Sequence, residues 1–171
     1  DTDAVKPIGQ IKATTKELEY LTSNLLSWVK FDAINQLDQK QVVDLHLLFE
    51  SIVDFVLPFK QSDHVSIVNN VPKGLVIKGW YDPMRVLFYN LIMNSIRSTN
   101  NGLIEITAVS NSNTVAISII DTGVGMSESM ISFLLTGIKP KDIFVTPRYK
   151  NGNGVGYQII RNLVKLIYAK L

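Results

Sequence analysis

Three short stretches carry residues whose types and spacing could do chemistry. In DPMRVLFYNLIMNSIRST, Asn90, Asn94 and Arg97 recur at a spacing of four and then three, which puts them on one narrow face of a helix. Nearly everything around them is apolar: Val86, Leu87, Phe88, Leu91, Ile92, Met93 and Ile96. Asparagine is a mediocre helix former, and an unpaired buried amide costs on the order of 1–3 kcal/mol. Two amides stacked on so apolar a helix therefore need partners. Either a neighbouring loop supplies them and the pair is structural, or the face is a polar groove in which amide oxygens meet a cation and Arg97 meets an anion. Neutral oxygens suit Mg2+, which keeps several waters and takes its counter-charge from phosphates.

The second stretch, DTGVGM, directly follows the β-like run TVAISII. A carboxylate at a strand end, here Asp121, can accept a charge-assisted hydrogen bond from the amine of a ligand. Gly123 and Gly125 let the backbone turn and let a flat ligand come close. The competing reading is a glycine-rich turn that Asp121 merely caps. In the third stretch, NGNGVGYQII, Gly152, Gly154 and Gly156 open an amphipathic segment. Free N–H groups at a helix start form a phosphate site, although any flexible loop entering a helix has the same composition. The pattern is neither a Walker A loop nor a dinucleotide fingerprint, since no Gly-Lys-Ser/Thr follows and no strand leads directly in. Upstream stand Lys139, Lys141, Arg148 and Lys150 against the single Asp142. A basic loop favours phosphate, and is also ordinary for an exposed loop.

These residues need elements to position them. Ile11, Leu18, Leu21, Leu25 and Trp28 form a heptad-like stripe over residues 10 to 37, read either as an amphipathic helix on its own domain or as one that packs against a partner chain. The polar QLDQKQ is a joint. A short strand and a helix from Leu45 to about Leu57, stopped with the help of Pro58, come next. HVSIVNN and GLVIKG read as two strands joined by the turn VPKG. Asp82 as N-cap and Pro83 at the first helical position start the asparagine-bearing helix, which NNG ends. LIEITAVS and TVAISIID form a strand pair through NSN. A short helix over 128 to 135, a long loop from Thr136 to Gly156 and a final amphipathic helix, YQIIRNLVKLIYAK, complete the chain. Local strand pairing amid mixed elements predicts an α+β fold, a two-layer sandwich with helices on one face of the sheet.

Composition sets the limits. With 171 residues of which 46% are hydrophobic, the chain can build one globular domain and a short appendage. The balance of 17 basic against 15 acidic residues gives no sign of nucleic acid. Without cysteine there are no disulfides and no thiolate metal sites. No apolar run approaches the roughly 18 residues that span a bilayer. The opening lacks methionine and a signal peptide, so the chain reads as a fragment of cytoplasmic protein, whose parent could still be anchored in the inner membrane.

The order of the three stretches resembles the ATP-binding domain of sensor histidine kinases, the Bergerat or GHKL fold. DPMRVLFYNLIMNSIRST resembles the N box, DTGVGM the G1 box, GNGVG the G2 box, and FVTPRYKNGNG an ATP lid. The likeness runs from about residue 41 to the end, while LTSNLLSWVKFD is similar to the end of the kinases' dimerisation and phosphotransfer helices. The resemblance implies residues 1–38 as the last part of that helical region and 39–171 as the catalytic domain, without its closing hairpin. It implies ATP and Mg2+ as cofactors. Asp121 would accept from the adenine amino group, and Gly123 and Gly125 would let the backbone close on the base. Asn94 would bind Mg2+ with help from Asn90. Arg97, where the family usually has lysine, would contact phosphate. Arg148 of the lid and Gly152, Gly154 and Gly156 would surround the phosphates. The partners implied are a histidine-containing dimerisation domain, a second copy in the parent, and a downstream response regulator.

There are departures. Ser95 replaces the usual alanine, and the aromatic F box is reduced to Phe133 or Phe144, to which no role is assigned. Neither His46 nor His64 stands in the context of a phospho-acceptor, so both read as structural or surface residues. The function implied is a kinase domain that passes the γ-phosphoryl group to a histidine elsewhere. The alternative is a nucleotide-binding regulatory module without transfer activity. An ATP-hydrolysing relative or serine kinase is disfavoured, because those families usually place a glutamate base where Asn90 stands, and an amide takes no proton at neutral pH.

Overall fold

The computed structural model describes residues 40–60, 62–138 and 155–171. The chain divides after Lys40, and the second unit, Gln41–Leu171, holds every described strand and helix. The predicted helix carrying Ile11, Leu18, Leu21, Leu25 and Trp28, and the polar joint after it, lie outside the described residues.

Strand β1, Gln41–Asp44, leads into helix α1, Leu45–Val56. Asp44 serves both: it is the last strand residue and the N-cap, its carboxylate accepting the Leu47 N–H at 3.1 Å. A 3-10 turn, Leu57–Phe59, holds Pro58 and closes the helix. Leu45, Leu48, Phe49, Ile52 and Val56 repeat at helical spacing and are all buried.

Strands β2, Val65–Asn69, and β3, Val76–Gly79, do not pair with each other, contrary to the hairpin expected from the turn between them. Instead β2 runs parallel to β4, Gly102–Ser110, and β3 is antiparallel to β1. The connection explains why. Val71 is drawn into the core. Its carbonyl takes a hydrogen bond from His46 Nδ1 at 2.7 Å, Asn69 Nδ2 donates to the His46 carbonyl at 3.1 Å, and Asn69 Oδ1 accepts the Val71 N–H at 3.2 Å. The loop is bonded down onto α1, so β3 leaves toward β1 and β2 is left to pair with β4.

Helix α2, Tyr81–Ser98, starts two residues earlier than the sequence suggests. Trp80 is its N-cap and makes no side-chain cap bond, so Asp82 stands in the first turn rather than at the cap, where its charge still favours the positive helix end. Helix α2 buries Leu87, Phe88, Ile92 and Ile96, and the Phe88 ring lies 4.7 Å from that of Phe49. Strand β4 returns along the same core, with Ile104, Ile106 and Ala108 inward, and pairs antiparallel with β5, Val115–Asp121, as expected. The three-stranded sheet has the order β2-β4-β5. Helix α3, Glu128–Thr136, is capped by Ser127 and ends at Gly137, whose φ of 83° is the left-handed cap conformation. Helix α4, Val155–Leu166, buries Ile160, Leu163 and Val164. The α+β class is as expected. The sheet is mixed, because one of its two pairings joins strands distant in sequence.

Candidate functional site

The site is built on the second half of α2, where polar residues recur every turn on a helix that is otherwise core. Asn90 is buried, and its Nδ2 donates to the Val86 carbonyl at 2.7 Å. That bond turns Oδ1 away from its own helix. A Cβ placed on Gly156 would lie 3.5 Å from Asn90 Oδ1 and 3.9 Å from Asn94 Oδ1. Two amide oxygens one turn apart thus converge on a single point beside the first turn of α4, where backbone N–H groups have no helical partner. Gly156 places no side chain in that space. Arg97 is exposed on the last turn of α2. Among the described residues there is no group of three or more His, Cys, Asp or Glu able to hold a metal ion. The polar atoms gathered here are neutral amides.

Asp121 ends β5, opposite Ile104. Its Oδ1 accepts the Gly123 N–H at 3.0 Å and lies 3.4 Å from Ser98 Oγ. The turn is pressed onto the end of α2: the Val124 N–H donates to the Ser98 carbonyl at 3.2 Å. A Cβ on Gly123 would stand 2.6 Å from that carbonyl oxygen, so only glycine fits without displacing backbone. Gly125 is required for a different reason: nothing surrounds it, and its φ is +70°. Thr122 locks the base of the turn to β4, its Oγ1 accepting the Leu103 N–H at 3.0 Å. Oδ1 caps the turn, and Oδ2 has no hydrogen bond among the described residues.

Of the predicted site residues, the fold brings Asn90, Asn94 and Gly156 together and seats Asp121 and Gly123 against the C-terminal turn of the same helix, while Gly125 stands in open space at the turn's far side. Arg148, Gly152 and Gly154, with Lys139, Lys141, Asp142, Phe144 and Lys150, lie outside the described residues. Phe133 is a core residue: it is buried with Met130 against Tyr157, and Arg161 lies over its ring at 5.6 Å. His46 is turned into structure by its bond to Val71, with Nε2 3.1 Å from Glu50. Ser98 went unremarked in the sequence, although it stands four residues after Asn94, in step with Asn90 and Asn94.

Residues 81–171 match the family model of histidine kinase-, DNA gyrase B- and HSP90-like ATPases. That is more than half of the sequence, and the chain belongs to this family, whose ATP-binding domain it carries. Its relatives are sensor histidine kinases. The sensor histidine kinase AtsR of Burkholderia thailandensis is 26% identical over 94% of this chain, and the aligned part is 27% of AtsR. Sporulation kinase B of Bacillus subtilis is 27% identical over 78% of this chain and 30% of its own length. The chain therefore spans under a third of either relative. The fold matches that of the histidine kinase ThkA catalytic domain, with a TM-score of 0.62 at 17% identity over 76% of this chain and 82% of that one. It also matches ShkA, solved with AMPPNP, with a TM-score of 0.64 at 20% identity over 87% of this chain and 31% of that one. Among the described residues no helix is long and apolar enough to cross a membrane.

Proposed function

We propose that this chain is the catalytic part of a sensor histidine kinase, binding ATP with Mg2+ and passing the γ-phosphoryl group to a histidine outside this fragment. The observation that carries the reading is the convergence of the Asn90 and Asn94 oxygens beside Gly156, with Asp121 seated one turn further along the same helix. Asp121 would take the adenine amine on Oδ2, and the Gly123–Gly125 turn would lie along the base. The neutral oxygens of Asn94 and Asn90 fit Mg2+, which would neutralise charge on the phosphates. Arg97 and Arg148 would contact phosphate, and Gly152, Gly154 and Gly156 would offer backbone N–H groups around it. In this reading residues 1–38 are the last part of the dimerisation and phosphotransfer helices, and residues 39–171 the catalytic domain. The parent protein is a homodimer acting in the cytoplasm on a response regulator.

Asn90 offers no base for activating water, so the arrangement favours transfer to a held acceptor over hydrolysis. Calorimetry on Asp121→Asn tests the binding half. The amide presents a donor to the adenine amine, and losing a hydrogen bond to a charged group costs about 1.5–3 kcal/mol. ATP affinity should fall roughly 10- to 150-fold with the fold intact. Equal ATP affinity in the two proteins would remove Asp121 from the base site.

A further inference from the structure

Ser98 is half-buried where α2 ends against the Asp121 turn. It touches that turn in three ways. Its carbonyl receives the Val124 N–H at 3.2 Å. The same carbonyl lies where any side chain on Gly123 would have to go. Its hydroxyl stands 3.4 Å from Asp121 Oδ1 and 3.0 Å from the Ser95 carbonyl, so one proton has two acceptors. The longer of these contacts is of the kind that tightens when a ligand completes a site.

The second torsion of an aspartate is broad, with no sharp well to hold the carboxylate plane. A single donor on one oxygen leaves that plane free to swing about the bond. Here Oδ1 faces two donors, the Gly123 N–H from its own turn and the Ser98 hydroxyl from α2. Two donors on one oxygen, fixed to different elements, set the plane and so set the direction in which Oδ2 points.

We propose that Ser98 is the positioning residue for Asp121, and that the carboxylate plane it fixes is what separates a 6-amino purine nucleotide from a 6-oxo one. This role rests on the reading of Asp121 as the base-binding carboxylate. A carboxylate held in place meets the amine of adenine with a bond and the carbonyl of hypoxanthine with a like-charged edge. A site built to bond a group rejects the analogue lacking it far more strongly than a pliable one does. A carboxylate free to swing bonds the amine less well and also yields to the carbonyl.

The test compares ATP with inosine triphosphate on the whole chain, its Asp121→Asn variant, Ser98→Ala and Ser98→Thr. The unsubstituted chain should prefer ATP. Ser98→Ala should bind ATP about fivefold more weakly while inosine triphosphate changes by less than about twofold, so the preference shrinks. Ser98→Thr keeps a hydroxyl and should restore it. A helix residue that matters only for stability would move the urea midpoint and leave the ratio of the two affinities alone. An unchanged ratio in Ser98→Ala, with Asp121→Asn impaired, overturns the role of Ser98 and leaves Asp121 in place. Unimpaired ATP binding by Asp121→Asn overturns both.

Discussion

A Cβ built on Gly123 would meet the Ser98 carbonyl carbon at 2.8 Å and Asp121 Oδ1 at 2.8 Å. Both neighbours are held, one by α2 and the other by its own turn, so neither can give way cheaply. Gly123→Ala should therefore cost about 1–3 kcal/mol of stability, the usual range for forcing atoms into a filled space. Its ATP affinity should fall as well, because the displaced part is the turn itself. A thermal midpoint unchanged from the parent chain would show that the turn moves freely. Asn94 calls for the opposite kind of test. It is only half-buried, and its oxygen faces the start of α4 rather than the core. Asn94→Ala should leave the urea midpoint nearly unchanged and flatten the dependence of ATP binding on Mg2+. A Mg2+ titration matching that of the parent would take Asn94 out of the metal site. At this scale the sequence was readable where a residue type is rare for its setting, as two asparagines are on an apolar helix. Ser98 was not, because serine near a helix end is commonplace and its partner, the Asp121 turn, is remote in sequence.

Elements were legible where their information is local. The β4–β5 pair needs only two alternating runs and a polar connection, and it forms as read, with Ile104 opposite Asp121. The β2–β3 hairpin fails because its decisive contacts are not local: His46 on α1 bonds the loop at Val71, and Asn69 returns a bond to His46. No periodicity in residues 65–79 encodes a partner twenty-five positions away. Asn69 is consequently the hinge of the topology. Its amide serves the His46 carbonyl and its oxygen the Val71 N–H. Asn69→Ala leaves two backbone groups without those partners, and a buried group left unsatisfied costs about 1–3 kcal/mol. Urea denaturation should show a loss of that size, while ATP affinity stays as in the parent because no described site residue touches the lock. A loss of ATP binding with stability intact would mean that the β2–β3 loop communicates with the site. The α2 start carries the same lesson on a smaller scale. Asp82 and Pro83 marked the helix correctly, and its start moved by two residues because the extended backbone that caps it is at Trp80.

Taken whole, the molecule offers a place for a nucleotide and, among its own histidines, no place for the phosphoryl group. The sequence contains two histidines. An acceptor needs a ring nitrogen that a phosphoryl donor can reach, and His46 donates its Nδ1–H to the Val71 carbonyl at 2.7 Å and keeps Nε2 buried, 3.1 Å from the Glu50 carboxylate. His64 is exposed, but its backbone carbonyl is tied to Gly102, at the β2–β4 pairing. From there to β5 is about two strand spacings, roughly 10 Å, and the end of β5 carries Asp121, which would hold the base and not the phosphates. Phosphoryl transfer depends almost wholly on positioning and charge neutralisation, so it fails without an acceptor held in line. The chain should accordingly bind ATP with Mg2+, yet neither label itself nor hydrolyse ATP at more than a trace rate when given γ-labelled nucleotide. On the proposed reading, supplying the histidine-bearing helical domain separately should produce labelling of that domain. The reaction should be slow, because the tether that raises the effective concentration of the acceptor is gone. Acid-labile label on the isolated chain would make His46 or His64 an acceptor, which for His46 requires its buried ring to come out to solvent. Bound ATP with no transfer to the added domain would instead identify the protein as a nucleotide-binding regulator, in which the amides of α2 and the Asp121 turn sense ATP without consuming it.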